Sequence, residues 1–191
     1  MNMTNLERAA DPISKEDVSI LIKCLIDDGN LRDALYVKIS FSLGLRVSDV
    51  LKLKHSDFDY NVMLIDEKKT GKARRLPIGA NLRAIYNKYI RTIDATDDYI
   101  FVNRYGRPLT SNNFNQKLKD WRFDYLKNSI KNFSTHSFRK GFGRNYYNEM
   151  GKTEAAITML QKTFNHSNSS ITLAYIGITK EQINEVYDIN D

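Results

Sequence analysis

Apolar residues recur at three- and four-residue intervals through most of this chain, the spacing of one helix face. The pattern breaks most clearly between residues 62 and 78. There VMLIDE (62–67) and ARRLPI (73–78) read as two strands, joined by the turn KKTGK (68–72) and ended by Gly79. One hairpin set among helices restricts the fold class to a mainly α domain with a small antiparallel β-sheet. The hairpin tip gathers Lys68, Lys69, Lys72, Arg74 and Arg75, a high density of positive charge for so few residues.

The helices around it can be placed by their punctuation. Ser14, with Asp17 three positions on, resembles a capping box that opens a helix through Ile20, Leu21, Leu25 and Ile26. Gly29-Asn30 ends it, and Leu31, Leu35, Ile39 and Leu43 form the next stripe, with Tyr36 and Phe41 interleaved. After Gly44, residues 46–54 predict a short third helix with Val47, Val50, Leu51 and Leu53 turned inward. His55 is read as structural. Beyond the hairpin, Leu82, Ile85, Tyr86 and Tyr89 mark a helix over 81–91. Residues 99–102 predict a short strand and 105–108 a turn. Thr110 or Ser111 caps a long helix whose Phe114, Leu118, Trp121 and Tyr125 face a core. Further helices are expected over about 135–150, 154–164, 169–175 and 180–187.

The chain has 191 residues, the size of one ordinary domain, and contains no internal repeat or linker. With 41% hydrophobic and 27% charged residues it is neither disordered nor a membrane protein. No apolar run approaches the roughly 18–20 residues that span a bilayer. The first dozen residues lack an apolar segment and carry Glu7 and Asp11, which excludes a signal peptide. Cys24 is the only cysteine, excluding an internal disulfide and any multi-cysteine zinc site. A cytoplasmic location follows. The net charge of +6 favours an anionic partner, without identifying it.

Several polar groups stand where a plain core would not place them. His136 and Arg139 lie at i and i+3 and share a helix face. Arg46 follows Gly44-Leu45, with Asp49 at i+3 as a partner for its fork. His166 sits at a helix end capped by Asn165, and Tyr175 lies nine residues further on. Two arginines, two histidines, a lysine and a tyrosine suit attack on a phosphodiester. Arginine forks can stabilise charge on the non-bridging oxygens, an ammonium can protonate the departing oxygen, and a histidine can assist proton removal. A tyrosine hydroxyl, with a pKa near ~10, needs such help and then forms a covalent phosphoester.

These segments together resemble the catalytic domain of the tyrosine recombinase (phage integrase) family. The first box matches at Gly44-Leu-Arg46-Val-Ser-Asp49, the lysine-bearing turn at Lys68-Lys69-Thr-Gly-Lys72, the second box at Thr135-His136-Ser-Phe-Arg139-Lys140, and the last at Phe164-Asn-His166-Ser through Tyr175. The resemblance implies that Tyr175 is the nucleophile and leaves a 3′-phosphotyrosyl bond and a free 5′-hydroxyl. Arg46 and Arg139 would hold the scissile phosphate, Lys69 would act as general acid, and His136 would assist with protons. His166 would donate a hydrogen bond to the phosphate, and Asp49 would orient Arg46. Lys68 and Lys72 are close enough to compete for the role of Lys69. Lys140 stands where many members have His, and Asn165 replaces a common Gly.

The expected activity is therefore site-specific recombination of DNA (integration, excision or inversion) through a Holliday junction, without metal, nucleotide or other cofactor. Double-stranded DNA is the implied partner, with further recombinase protomers in a tetrameric synapse; the protein would be nucleoid-associated when bound. Lys68, Lys72, Arg74, Arg75, Lys140 and Arg144 are candidates for tracking the DNA backbone. Residues 1–12 would be a flexible leader and 13–191 the catalytic domain, including a C-terminal helix over 179–188, with no separate N-terminal core-binding domain. Three other readings compete: a non-catalytic DNA-binding regulator from a mobile element, a type IB topoisomerase, and a metal-dependent enzyme using Asp57, Asp59 and Asp66.

Overall fold

Helix α1 (Lys15–Asp27) starts where Ser14 Oγ accepts the amide of Asp17 at 2.9 Å, and it buries Val18, Leu21 and Leu25. The computed structural model describes residues 9–66, 73–94 and 98–178. Helix α2 (Leu31–Leu43) is the centre of the molecule: Ala34, Leu35, Tyr36, Val37 and Ile39 have no exposed surface. Such all-round burial explains why aromatic residues interrupt its apolar stripe. The helix ends at Gly44, whose φ of 58° and tight approach to the Phe142 ring both require glycine.

The predicted helix over 46–54 is cut to one turn, α3 (Val47–Val50). Its second half is drawn out because the Ile100 amide donates to the Leu53 carbonyl at 3.0 Å and Lys54 bridges Tyr99. The Asp57 carboxylate then caps a single 3-10 turn over His55–Phe58 by accepting the Lys54 amide at 2.8 Å. In place of the strand expected over 99–102 there are two isolated bridges, Lys54 with Tyr99 and Val102 with Pro108. His55 fits its structural reading, its Nδ1 lying 3.2 Å from the Tyr86 hydroxyl.

Strands β1 (Val62–Asp66) and β2 (Ala73–Pro77) pair antiparallel, with Met63 opposite Leu76 and Ile65 opposite Arg74. Met63, Ile65 and Leu76 face inward and are buried. Helix α4 (Ala80–Ile90) follows, and Arg83 ties it to the 3-10 turn through the carbonyls of Phe58 and Tyr60. Helix α5 (Ser111–Asp124) is capped by Thr110, which exchanges hydrogen bonds with Asn113. In the main core Tyr36 stacks on Phe114 with ring centres 3.8 Å apart, and Phe101 and Phe138 meet it edge-on. Tyr125, expected in that core, is only half-buried, its hydroxyl reaching the Asp28 carboxylate at 2.5 Å.

Three helices complete the described chain: α6 (Thr135–Glu149), α7 (Glu154–Phe164) and α8 (Ser169–Tyr175). The last two build a small second core from Ile157, Leu160, Phe164 and Ile176. Helix α6 serves both cores. Phe138 belongs to the first, whereas a Cβ on Gly143 would come within 2.7 Å of Ile176 and 2.8 Å of Phe164 in the second. In the expected leader, Asp11 is tied to Asn132: its amide donates to the Asn132 carbonyl at 3.0 Å and its carboxylate accepts the Asn132 amide at 2.8 Å. The predicted helix over 180–187 lies outside the described residues. No described helix is long and apolar enough to cross a membrane.

Candidate active site between the two cores

The site lies where α2 and α7 end. The last carbonyls of a helix have no partner within it and carry partial negative charge, so they attract cations. Arg139, on α6, donates to the carbonyl of Gly44 just past α2, 95 residues away in the chain. Arg46, at the start of α3, donates to the carbonyl of Phe164, the last residue of α7, at 3.5 Å and across 118 residues. The Arg139 guanidinium also lies over the Phe164 ring, 4.6 Å from its centre, and the residue is only 4% exposed. Its aromatic neighbour and the carbonyl fix the plane of the fork.

Asn165 ends α7 in the left-handed conformation, with φ 56°, and turns the chain so that His166 faces back toward the arginines. Asparagine is the commonest non-glycine residue in that role. His166 Nδ1 lies 3.1 Å from the Thr172 hydroxyl. Tyr175, the last residue of α8, packs edge-to-face on Phe164 and His166 with ring centres 5.2 and 5.1 Å apart. Burial raises the pKa of its hydroxyl, while the Arg139 charge, a hydrogen bond from Arg139 and the Arg46 charge act to lower it.

Both candidate histidines are held below the ordinary imidazole pKa. For His166 the largest cause is desolvation, followed by the charges of Arg139 and Arg46. His136, at the start of α6, reaches solvent with part of its surface; desolvation of the rest, then Lys140 and Arg139, lowers its pKa. Neutral imidazoles beside two anchored guanidiniums and a tyrosine can accept protons while the cations bind an anion.

The other candidates divide. Asp49 is buried at the end of α3 and accepts from the Ser48 hydroxyl at 3.3 Å. Lys140 differs from the expected surface position: it is 9% exposed, with Nζ 5.4 Å from the centre of the Tyr175 ring. Arg144 is half-buried, and its Nη1 is shielded without a hydrogen-bond partner among the described residues. Arg74 and Arg75 project to opposite faces of the hairpin, Arg74 beside buried Ile65 and Arg75 beside exposed Leu64. Lys68, Lys69 and Lys72 lie outside the described residues. Asp57, a candidate metal ligand, is occupied as a cap. Sequence reasoning missed Phe164, the Gly44 carbonyl and Thr172 as parts of the site. Gly44 and Phe164 stand at the heads of the first and last boxes with no role assigned to them there, and Thr172 is a polar residue on the inner face of the short helix before Tyr175.

The profile of the phage integrase family matches residues 12–182. The tyrosine recombinase XerC of Staphylococcus carnosus is 27% identical over 182 residues, covering 91% of this chain and 59% of that protein. The tyrosine recombinase XerD of Oceanobacillus iheyensis is 24% identical, covering 93% and 61%. The chain thus spans about three-fifths of the length of the curated relatives it matches. Among solved structures, the XerH recombinase bound to a palindromic difH substrate superposes with a TM-score of 0.72 at 18% identity, over 98% of this chain and 55% of that one. The XerA recombinase gives 0.69 at 19%, over 94% and 64%. A helical domain with one small antiparallel sheet, its motifs drawn to the junction of two cores and its length matched almost throughout, belongs to the phage integrase family.

Proposed function

We propose that this chain cleaves and rejoins DNA strands as a site-specific tyrosine recombinase. The observation that carries the reading is the convergence of Arg46, Arg139, His166 and Tyr175 around the ends of α2 and α7, with Arg46 more than 90 residues before the other three. In this reading Tyr175 attacks the scissile phosphorus and forms a 3′-phosphotyrosyl ester. Arg46 and Arg139 bind the non-bridging oxygens, whose charge grows in the five-coordinate transition state. Asp49 orients Arg46. His136 assists with protons, His166 donates to the phosphate, and Lys69 protonates the departing 5′ oxygen. The ester conserves the bond energy, so a 5′-hydroxyl from a second duplex can reverse the step without nucleotide or metal.

Double-stranded DNA is the substrate, and protomers assembled on two duplexes exchange strands in pairs through a Holliday junction. The relatives named tyrosine recombinases and the neighbour bound to difH support this assignment. The test is strand exchange between two labelled duplexes drawn from DNA flanking the gene, with EDTA present. Holliday junctions that form undiminished in EDTA support the reading. Relaxation of supercoils without any junction would replace it with a topoisomerase-like activity, and loss of cleavage in EDTA would overturn the metal-free mechanism.

A further inference from the structure

Lys140 is a charged group at the site that the cleavage reading leaves without a task. It is buried on α6, and its ammonium forms no hydrogen bond or ion pair among the described residues. Burial lowers its pKa, and the charge of Asp11 opposes that shift. Taking an ammonium out of water without an ion-pair partner is costly, so such a lysine is seldom mere packing. What it meets is an aromatic face. Its Nζ sits over the Tyr175 ring, 5.4 Å from the centre, where the π electrons attract a cation. Phe164 and His166 meet the same ring edge-to-face, with centres 5.2 and 5.1 Å away. Three neighbours therefore confine the ring that carries the nucleophilic oxygen.

The chain ahead of α1 reinforces this arrangement. The Ile13 amide donates to the Ser137 carbonyl at 3.1 Å, and Ile13 lies so close to Gly141 that no Cβ fits there. Pro12 packs beside Gly177, two residues past Tyr175, where an added Cβ would meet its ring at 3.4 Å. Asp11, fastened to the Asn132 amide, brings its negative charge toward Lys140. Residues 11–13 thus touch both α6 and the chain just after α8. Building on the strand-cleavage reading above, we propose that Lys140 is a positioning residue whose ammonium, seated on the ring face, holds Tyr175 in the orientation from which its hydroxyl attacks phosphorus. Lys140 keeps its proton and forms no bond to the phosphate. It acts through geometry, because a nucleophile already aligned loses less freedom on reaching the transition state. Arginine also offers a cation to the ring and can replace it, whereas a neutral side chain of similar length cannot.

The experiment has two readouts. The first is NMR of the full chain without DNA, carrying isotope-labelled lysine, with Lys140→Arg identifying the signal. Protons above an aromatic face are shielded, so the Lys140 ε-methylene should lie upfield of ordinary lysines in the wild type. Tyr175→Leu should abolish that shift. An ordinary position in the wild type overturns the proposal without any measurement of activity. The second is single-turnover cleavage of nicked duplexes from DNA flanking the gene. At saturating protein, Lys140→Met should slow phosphotyrosyl formation at least about fivefold, with the half-saturating concentration within about twofold of wild type, and Lys140→Arg should restore the rate to within about threefold. An unaltered saturating rate from Lys140→Met with weakened binding would make Lys140 a backbone contact and overturn the positioning role. Equal slowing by the Met and Arg variants would overturn it too, leaving only packing. If wild type forms no Tyr175-dependent adduct, the strand-cleavage reading falls and takes the effect on rate with it, while the upfield shift still judges the ring contact.

Discussion

Burying the Arg139 guanidinium costs several kcal/mol, and three contacts offset it: the Gly44 carbonyl, the Phe164 ring and the Tyr175 hydroxyl. Lysine keeps the charge but has no planar fork to satisfy them together. Arg139→Lys should therefore lower single-turnover cleavage about 100- to 1000-fold, while a gel-shift titration finds duplex affinity within about threefold of wild type. Unchanged cleavage would remove Arg139 from the chemistry. The depressed histidines set a pH dependence. His136 needs its neutral form to accept a proton, so cleavage should rise through the range below the ordinary imidazole value and be level by neutrality. Stability follows with the same sign. Between each lowered pKa and the ordinary value the unfolded chain binds more protons, so folding weakens as pH falls through that window. His136→Gln with His166→Gln should flatten this part of the profile in thermal melts recorded across it; a profile unaltered by the two changes would contradict the assigned shifts. At this scale the chemistry-bearing residues are legible because arginine, histidine and tyrosine at fixed intervals are rare together. Phe164 and the Gly44 carbonyl are not, because a ring among apolar neighbours and a backbone oxygen look the same in any sequence.

The elements matter to the site chiefly through their ends. Helices α2 and α7 each stop at a left-handed residue, Gly44 and Asn165, and each presents a terminal carbonyl to an arginine. Asn165→Gly should leave stability within about 0.5 kcal/mol, whereas Asn165→Val, β-branched at positive φ, should cost at least about 1–2 kcal/mol in urea unfolding. Equal stabilities would show that this cap does not hold α7 in place. Phe164→Ala removes a 1% exposed ring from the small core and should destabilise by about 3–5 kcal/mol. Phe164→Leu should lose much less stability yet still slow cleavage, because the face that supports Arg139 is gone. Cleavage by Phe164→Leu at the wild-type rate would show that Arg139 does not need the ring. Helix boundaries were readable where a local signal marks them, as at Ser14 and Thr110. The third helix was not: Leu53 and Lys54 are drawn out by Ile100 and Tyr99, and a pairing that remote in sequence has no local signature.

Across the whole molecule the excess of six positive charges is modest, and its placement decides what it does. Lys140, read from sequence as a surface cation, is buried against the Tyr175 ring and Arg144 is half-buried, so helix α6 contributes less to an electrostatic surface than its composition suggests. Arg75 remains on the open face of the hairpin. If it contacts a phosphate, Arg75→Ala should reduce the log–log slope of duplex affinity against salt by about one, with a near-uniform loss across sequences. An unchanged slope would place the DNA elsewhere. The overall class, helices around one hairpin, was evident from the change of hydrophobic period. The division into two cores was not, since both are built from the same residue types and differ only in which helices meet. That division matters because it leaves a seam where Arg139, Phe164, His166 and Tyr175 come together. The most direct test of the account is to trap the chain on a nicked duplex and digest the adduct. The account predicts a denaturant-resistant DNA–protein ester at the 3′ phosphate, mapped by peptide mass to Tyr175 and absent from Tyr175→Phe; an adduct that persists in Tyr175→Phe, or that maps to another residue, would contradict it.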